Sequence, residues 1–211
     1  GSMIRISIVG LGLIGASLGM ALRNADPAES ALGAVEVVGF DRDQQAVKEA
    51  RGRLAIDREA RSLAEAVCDA QLVVVATPVQ AVREVFSQLA TLLPAGAIVT
   101  DVASTKAEVG RWAATLLPAG VAYVGGHPMA GKEQAGVAAA DPELFRGAIY
   151  CLTVGHHTPQ PAVEAVEAMV RALGAKPYYI DPEEHDAYVA AISHLPMLLS
   201  VGLVEITGQS P

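Results

Sequence analysis

The feature that most constrains this chain is a glycine-rich turn, Gly10-Leu11-Gly12-Leu13-Ile14-Gly15, which lies between an apolar run and a helical pattern. The run Ile4–Val9 predicts a buried strand, and the apolar spacing over Leu13–Asn24 predicts the helix that follows. A helix that begins directly after such a turn points free backbone N–H groups and a partial positive charge at one place. The segment therefore predicts a site for the phosphates of a dinucleotide.

Each residue of the turn has an expected part in that site. Gly10 permits the sharp turn out of the strand, and Gly12 lets the backbone approach the pyrophosphate without a Cβ in the way. Gly15 allows the helix to pack closely on its strand. Leu13 and Ile14 open the helix, so we count them among the cofactor-binding residues.

A second predicted strand, Val35–Phe40, ends at Asp41, whose carboxylate can accept hydrogen bonds from the hydroxyls of the adenosine ribose. The gap from Gly15 to Asp41 is 26 residues, and we assign its excess length to a surface loop. Asp41 favours NAD over NADP because its charge repels a 2′-phosphate. Arg42 weakens this preference, since its guanidinium can pair with that phosphate.

Strand and helix patterns alternate along the chain, which predicts an α/β fold with a doubly wound, mostly parallel Rossmann sheet covered on both faces. A short extra strand is expected near Leu54–Ile56. The remaining predicted strands are Leu72–Ala76, Ala97–Thr100, Val121–Val124, Ile149–Val154 and Pro177–Ile180, and the remaining helices are Asp43–Arg51, Val79–Leu93, Thr105–Leu117 and Pro161–Leu173.

The last segment changes character and predicts a domain boundary. The sequence Asp181-Pro182-Glu183-Glu184 supplies an N-cap, a first-turn proline and first-turn acids. The apolar, helix-forming sequence that follows needs a packing partner. We therefore predict a dinucleotide-binding domain over residues 3–180 and the first helix of a truncated, all-helical second domain over residues 181–211.

Composition excludes several classes of function. The net charge is −8 and no Lys/Arg cluster occurs, which argues against nucleic acid or an anionic membrane as a partner. Charged and polar residues interrupt every long apolar segment. Cys68 and Cys151 lack metal-ligand spacing, so we expect buried, reduced thiols, no metal site and a cytoplasmic protein.

Two loops after predicted strands carry further candidate cofactor contacts. In the first, Thr77 and Pro78 can line the ribose, and Val79 with Val82 can form an apolar wall. Thr77 can equally serve as a helix N-cap. In the second loop, Ser104 can hydrogen-bond the nicotinamide or the substrate, or it can only cap the next helix. Asp101 and Lys106 in that loop can form an ion pair of structural value.

The strongest catalytic candidate is His127, which follows a predicted strand and is flanked by glycines and Pro128. A neutral imidazole with a pKa near 6.5 can accept the proton of an alcohol that is being oxidised. His185 either caps the last helix or faces the cleft. His194 precedes Pro196, where freed backbone groups can face a cavity, and we expect it to face the substrate.

Together these motifs resemble the prephenate/arogenate dehydrogenase family of tyrosine biosynthesis. The resemblance implies an N-terminal nucleotide domain, a helical dimerisation domain and an active site between them, and hence a homodimer formed through the C-terminal helical region. It rests on Gly10–Gly15, Asp41, Ala76–Val79, Thr100–Lys106, Gly126–Gly131, Asp181–Asp186 and Ser193–Pro196.

The resemblance also implies a reaction, the NAD-dependent oxidative decarboxylation of a cyclohexadienol. His127 would accept the proton of the ring hydroxyl, and Ser104 would hold His127 or that hydroxyl. Lys132 and Glu133 would line the entrance or contact the side chain of the substrate. His194 would approach the substrate from the helical domain.

Two departures from the family pattern stand out. Some relatives have a further histidine where this chain has Met197. The arginine that grips a substrate carboxylate in the family is expected beyond the end of this chain. Prephenate and arogenate both stay open as substrates. The alternatives are another Rossmann-type enzyme, such as a β-hydroxyacid dehydrogenase, a pyrroline-carboxylate reductase or an imine reductase, and a noncatalytic NAD-binding module.

Overall fold

A computed structural model describes residues 2–131 and 134–193 of the chain. The strands are β1 Ile4–Val9, β2 Val35–Phe40, β3 Arg58–Glu59, β4 Leu72–Val75, β5 Ile98–Asp101, β6 Ala122–Pro128, β7 Ile149–Val154 and β8 Lys176–Tyr179. The helices are α1 Leu13–Asn24, α2 Gln44–Gly52, α3 Leu63–Val67, α4 Val79–Leu92, α5 Ala107–Leu116, α6 Gln160–Ala172 and α7, residues 182–193, with a 3₁₀ turn at Val137–Ala139.

The strands form a single sheet in the order β3-β2-β1-β4-β5-β6-β7-β8. Neighbouring strands are parallel except β6 and β7, which are antiparallel. The doubly wound, mostly parallel sheet predicted from the sequence is confirmed. The strand order reverses between β1 and β4, and ligands of such sheets bind at the carboxyl ends of the strands at this point.

Two hydrophobic layers cover the sheet, one on each face. Alternate residues of β4 show this, because Leu72 and Val74 pack on the side of α1, α2 and α6, whereas Val73 and Val75 pack on the side of α3, α4 and α5. A strand buried on both faces has no polar side, which explains the uninterrupted apolar run of the sequence here.

Several local predictions are wrong. The short extra strand is Arg58–Glu59, and Ala55 and Ile56 are instead buried core residues of the preceding connection. The five-residue helix α3 is too short to show a helical apolar period, so the sequence pattern does not predict it. Cys151 is buried as expected, but Cys68 is exposed.

The predicted domain boundary falls between β8, which ends at Tyr179, and α7, which starts at residue 182. The division itself stays a prediction.

Within residues 2–131 and 134–193, no helix is both long and apolar enough to cross a bilayer.

Candidate functional site

A large cleft opens at the carboxyl ends of the strands where the strand order reverses. Its volume is about 1490 Å³, larger than the roughly 300–1,000 Å³ of a typical small-molecule pocket. The turn after β1 and the loops after β2, β4, β5 and β6 all contribute to its walls. The cleft therefore has room for an extended ligand together with a second, smaller molecule.

The glycine turn combines two packing positions with one open position. Gly10 has φ +101°, and a Cβ there would lie 2.6 Å from the carbonyl carbon of Ala76. A Cβ on Gly15 would lie 1.9 Å from the carbonyl oxygen of Gly10, so Gly15 serves helix packing rather than cleft lining. Gly12 has open space around its missing Cβ and lines the cleft.

The first turn of α1 also faces this cleft. Leu13 and Ile14 line it directly after the N-cap residue Gly12, which makes no side-chain capping bond. The N–H groups of the first turn of a helix have no partner within the helix and suit an anion. The structure thus brings these residues together as the sequence predicted.

Asp41 is held by the backbone on both sides of its carboxylate. Oδ2 accepts a hydrogen bond from the N–H of Leu11 at 2.8 Å, and Oδ1 accepts one from the N–H of Asp43 at 2.9 Å. Asp41 therefore fixes the glycine turn against the end of β2, while its carboxylate lines the cleft. Arg42 is exposed and lines the same end of the cleft.

The loop after β4 departs from the expectation in two ways. Thr77 lines the cleft, but its buried Oγ1 has no hydrogen-bond partner among the described residues and does not cap α4, whose N-cap is Pro78. Val82 is fully buried in the core, and Val79 packs against that core. Val82 therefore cannot form the expected wall, and Ala81 with Val85 lines the cleft. A contact of Val79 with the cofactor stays a prediction.

His127 lies near the end of β6, lines the cleft and pairs with a second histidine from α7. Its Nδ1 is 2.8 Å from Nε2 of His185, and the rings meet edge to face with centroids 5.0 Å apart. His185 is completely buried, and its Nδ1 is 2.8 Å from Oδ1 of Asp186. The three side chains form one hydrogen-bonded chain that ends at the cleft.

Asp186 also joins α7 to the N-terminus of α5. Its carboxylate accepts hydrogen bonds from the N–H of Lys106 at 2.8 Å and of Ala107 at 3.1 Å, and one from Thr105 Oγ1 at 3.4 Å. Burial acts to raise the pKa of Asp186, but hydrogen bonds from His185 and from the two backbone groups outweigh it and lower that pKa. The carboxylate is therefore ionised at neutral pH.

Because Asp186 caps α5, Ser104 does not have the capping role that the sequence left open. The helix begins at Ala107, and its N-cap residue Lys106 makes no side-chain capping bond. Ser104 is exposed and lines the cleft. The hydrogen-bond partner of Nδ1 of His127 is Nε2 of His185 rather than Ser104.

The Asp186 carboxylate sets the tautomers of both histidines. An ionised carboxylate only accepts, so Nδ1 of His185 must donate to it, and Nε2 of His185, when it carries no proton of its own, is an acceptor. That acceptor requires Nδ1 of His127 to carry a proton and donate. Nε2 of His127 is consequently left with its lone pair free.

The surroundings of His127 keep this ring neutral. Burial, then His185 and then the Lys106 ammonium lower the pKa of His127 to about 4, whereas Asp101 and Asp186 act in the opposite direction. The ordinary pKa near 6.5 expected from the sequence is therefore wrong for this environment. At pH 7 the ring can accept a proton but has none to give from Nε2.

The expected ion pair between Asp101 and Lys106 is present, and both side chains are completely inaccessible to solvent. Burial lowers the pKa of Lys106, and the Asp101 carboxylate partly offsets that effect. Three other predicted site residues, Lys132, Glu133 and His194, lie outside the described residues.

With this geometry in place, residues 27–179 match the sequence profile of the family described as prephenate dehydrogenase, nucleotide-binding domain. The chain belongs to that family. Prephenate dehydrogenase from Bacillus subtilis (strain 168) is 37% identical over 207 residues, which are 97% of this chain and 54% of the relative. The chain thus spans about half the length of this curated relative.

Solved structures of the prephenate dehydrogenase family give the same result. Arogenate dehydrogenase from Synechocystis has a TM-score of 0.83 at 33% identity, with 98% of this chain and 70% of that chain covered. Prephenate dehydrogenase from Aquifex aeolicus, in complex with hydroxyphenyl propionate and NAD+, has a TM-score of 0.81 at 28% identity, with 100% of this chain and 72% of that chain covered.

No pattern in the sequence assigns a catalytic part to His185 or Asp186. A His-Asp pair one turn into a helix is usually a surface feature, and the sequence predicts that α7 starts a separate domain. Sequence contains no signal that Asp186 reaches the N-terminus of α5, about eighty residues earlier in the chain. A contact of that range is set only by packing.

Proposed function

We propose that this protein catalyses the NAD-dependent oxidative decarboxylation of prephenate or arogenate, as a member of the prephenate dehydrogenase family. The observation that carries the proposal is the free Nε2 of His127 in the cleft that the glycine turn also lines. The names of the relatives support it, since they include prephenate, arogenate and cyclohexadienyl dehydrogenases.

The residues of the cleft fit NAD. Gly12 leaves open space beside the first turn of α1, where a pyrophosphate can lie. The buried, unpartnered hydroxyl of Thr77 can hydrogen-bond a ribose or an amide, and Asp41 presents a carboxylate to the adenosine ribose. When bound, the nicotinamide ring supplies a hydride acceptor.

His127 would accept the proton of the ring hydroxyl and later return it. As the carbon bearing the hydroxyl loses hydride, Nε2 accepts the hydroxyl proton, and the C–O bond becomes a carbonyl. The ring carboxylate then leaves as CO₂, and its electron pair makes the ring aromatic. The phenolate oxygen recovers the proton from His127, so the step releases no net proton.

The chain of hydrogen bonds behind His127 stabilises its transient charge. When Nε2 is protonated, the proton on Nδ1 can shift toward His185, which lies beside the ionised Asp186. An imidazolium is thereby brought next to a carboxylate in a poorly solvated place, where their attraction is strong. The attraction to Asp186 thus offsets part of the cost that burial imposes on protonating His127.

The substrate contacts stay part of the proposal. Ser104 lines the cleft on the side of β5 and can hydrogen-bond the ring hydroxyl. Lys132, Glu133 and His194 are proposed to contact the substrate on the resemblance alone. A homodimer formed through the helical region and a cytoplasmic location are proposals of the same kind.

The test is an absorbance assay for reduced nicotinamide, run on this chain and on a form extended to the length of its relatives. We expect NADH to appear with prephenate or arogenate, and not with a β-hydroxyacid or with proline. Turnover of a β-hydroxyacid or an imine would favour the other Rossmann-type enzymes. NAD binding without turnover in the extended form would favour a noncatalytic module.

A further inference from the structure

A buried lysine lies behind the histidine pair, and the proposed reaction makes no use of it. Lys106 and its partner Asp101 are both 0% exposed. Lysine and aspartate are almost never fully buried unless paired, and a buried ion pair often contributes no more stability than apolar residues of the same size. A contribution to folding stability alone is therefore a weak explanation for the presence of the buried Lys106–Asp101 pair.

The pair holds the backbone next to His127 from both sides. Oδ1 of Asp101 accepts a hydrogen bond from the N–H of Gly126 at 3.3 Å, and Nζ of Lys106 donates to the carbonyl oxygen of Gly126 at 2.6 Å. A Cβ on Gly126 would lie 2.8 Å from the backbone oxygen of Asp101. Gly126 therefore cannot shift without breaking one of these contacts.

The pair also anchors the loop that carries Ser104. Asp101 accepts hydrogen bonds from the Tyr123 hydroxyl at 2.8 Å and from the N–H of Ala103 at 3.0 Å, in addition to its bond with Lys106. One carboxylate thus connects β6 to the residue directly before Ser104.

Lys106 closes a ring of contacts around both histidines. Its backbone N–H is bound by Asp186, which binds His185, which binds His127. Its side-chain ammonium returns to the carbonyl of Gly126, the residue before His127. The two ends of one residue therefore fix the positions of both imidazoles.

We propose that Lys106, paired with Asp101, is a positioning residue that holds the His127–His185 pair in register and keeps the His127 ring neutral. The inference rests on the proposed function for its catalytic consequence. Its structural content, the geometry and charge state of His127, does not depend on any substrate.

The charge of Lys106 acts on His127 together with a small set of neighbours. The ammonium from the start of α5 disfavours protonation, as do burial and His185 from α7, whereas Asp101 from β5 and Asp186 from α7 favour it. From β7, Cys151 pairs with His127 across the strands, and Tyr150 is buried beside Gly126. Removing the ammonium alone therefore makes His127 easier to protonate.

The experiment compares Lys106→Met with the unaltered protein, in the form that turns over. We expect kcat to fall roughly 10- to 100-fold with KM for NAD changed less than about twofold, because the loss affects positioning and not cofactor binding. The acid limb of the pH profile of kcat/KM should move up by about one pH unit. The pH midpoint at which the His127 resonances titrate in NMR spectra should move by the same amount.

The single variant leaves the Asp101 charge buried without its partner, which by itself destabilises the fold. A double variant, Asp101→Asn with Lys106→Met, removes both charges and controls for this effect. It also loses the ammonium contact with Gly126, so kcat should again fall, but with a smaller shift of the pH profile. Lys48→Met on the exposed face of α2 is the matched control and should leave kcat, KM and the titration unchanged.

Unaltered kcat and an unaltered His127 titration in a folded Lys106→Met protein would overturn the inference. Failure of the proposed function looks different, because then the unaltered protein shows no turnover with either substrate. In that case the NMR titration still decides whether Lys106 controls His127.

Discussion

Nδ1 of His127 and Nε2 of His185 lie 2.8 Å apart, and the rings are inclined at 79°. The two residues come from β6 and α7, which are separated along the chain by the whole of β7, α6 and β8. Their contact orients the ring of His127 and determines which of its nitrogens is free. The chemistry of the cleft therefore depends on how α7 lies against the sheet.

His127→Asn should lower kcat by about 10²–10⁴-fold and leave the Kd for NAD nearly unchanged. Asparagine can still hydrogen-bond but cannot take up a proton, so only the chemical step is affected. Steady-state kinetics and cofactor titration measure the two effects. His156→Asn, in an exposed turn, is a matched control, and an unchanged kcat for the His127 variant would remove it from the mechanism.

Asp186→Asn and Asp186→Ala should separate capping from tautomer control. The Ala variant loses the cap of α5, which costs about 1 kcal/mol of unfolding free energy. The Asn variant keeps an oxygen for the backbone N–H groups, but its NH₂ can turn toward His185 and reverse both tautomers, so kcat should fall by about 10²–10⁴-fold.

Urea unfolding and kcat, measured on both Asp186 variants, test this separation. The expected pattern is near-native stability with poor turnover for Asn, and losses of both for Ala. Full activity in the Asn variant would contradict the tautomer assignment.

Stability should fall as the pH drops from about 6.5 to about 4 because of His127. The unfolded ring gains a proton near its ordinary pKa of 6.5, whereas the folded ring, with a pKa of about 4, does not. The unfolded state therefore binds more protons in this window, and the free energy of unfolding rises with pH across it.

One group can contribute a slope of at most about 1.4 kcal/mol per pH unit, because the two states differ by at most one proton. Solvent screening of the partly exposed ring reduces the pKa difference and with it the total effect. Denaturant unfolding at a series of pH values measures it. His127→Asn should flatten the curve in this window, and an equally steep curve for that variant would assign the effect to other groups.

Asp41→Asn and Asp41→Ala should weaken the binding of NAD for different reasons. The Asn variant removes the charge but keeps an acceptor for the Leu11 N–H, so its affinity for NAD should fall less than that of the Ala variant. The affinity for NADP should fall least, because Asp41 repels the 2′-phosphate. The Ala variant also releases the glycine turn. Titration of both cofactors against both variants decides it, and equal losses for NAD and NADP would mean that the ribose is recognised elsewhere.

Thr77→Val should have opposite effects on stability and on cofactor binding. The buried Oγ1 of Thr77 has no partner among the described residues, so replacing it by a methyl group should leave the unfolding free energy unchanged or higher. NAD should bind about tenfold more weakly if the hydroxyl meets the cofactor. Thermal melts without and with NAD measure both effects, and unaltered NAD affinity would argue against the contact.

Sequence patterns determined the architecture because the relevant forces are local and periodic. Uninterrupted apolar runs require strands buried on both faces, and a glycine turn between strand and helix requires a cleft at the strand ends. Gly10, Gly12 and Asp41 could be assigned for the same reason, since each belongs to a short motif with its own geometry.

Tertiary structure alone decided the contacts that set the chemistry of His127. Asp186 reaches the start of α5, Lys106 reaches back to Gly126, and burial lowers the pKa of His127. None of these depends on spacing along the chain; each follows from how β5, β6, α5 and α7 pack. Proton affinity is a property of the surroundings of a ring, so the sequence could name the histidine but not its tautomer or its charge.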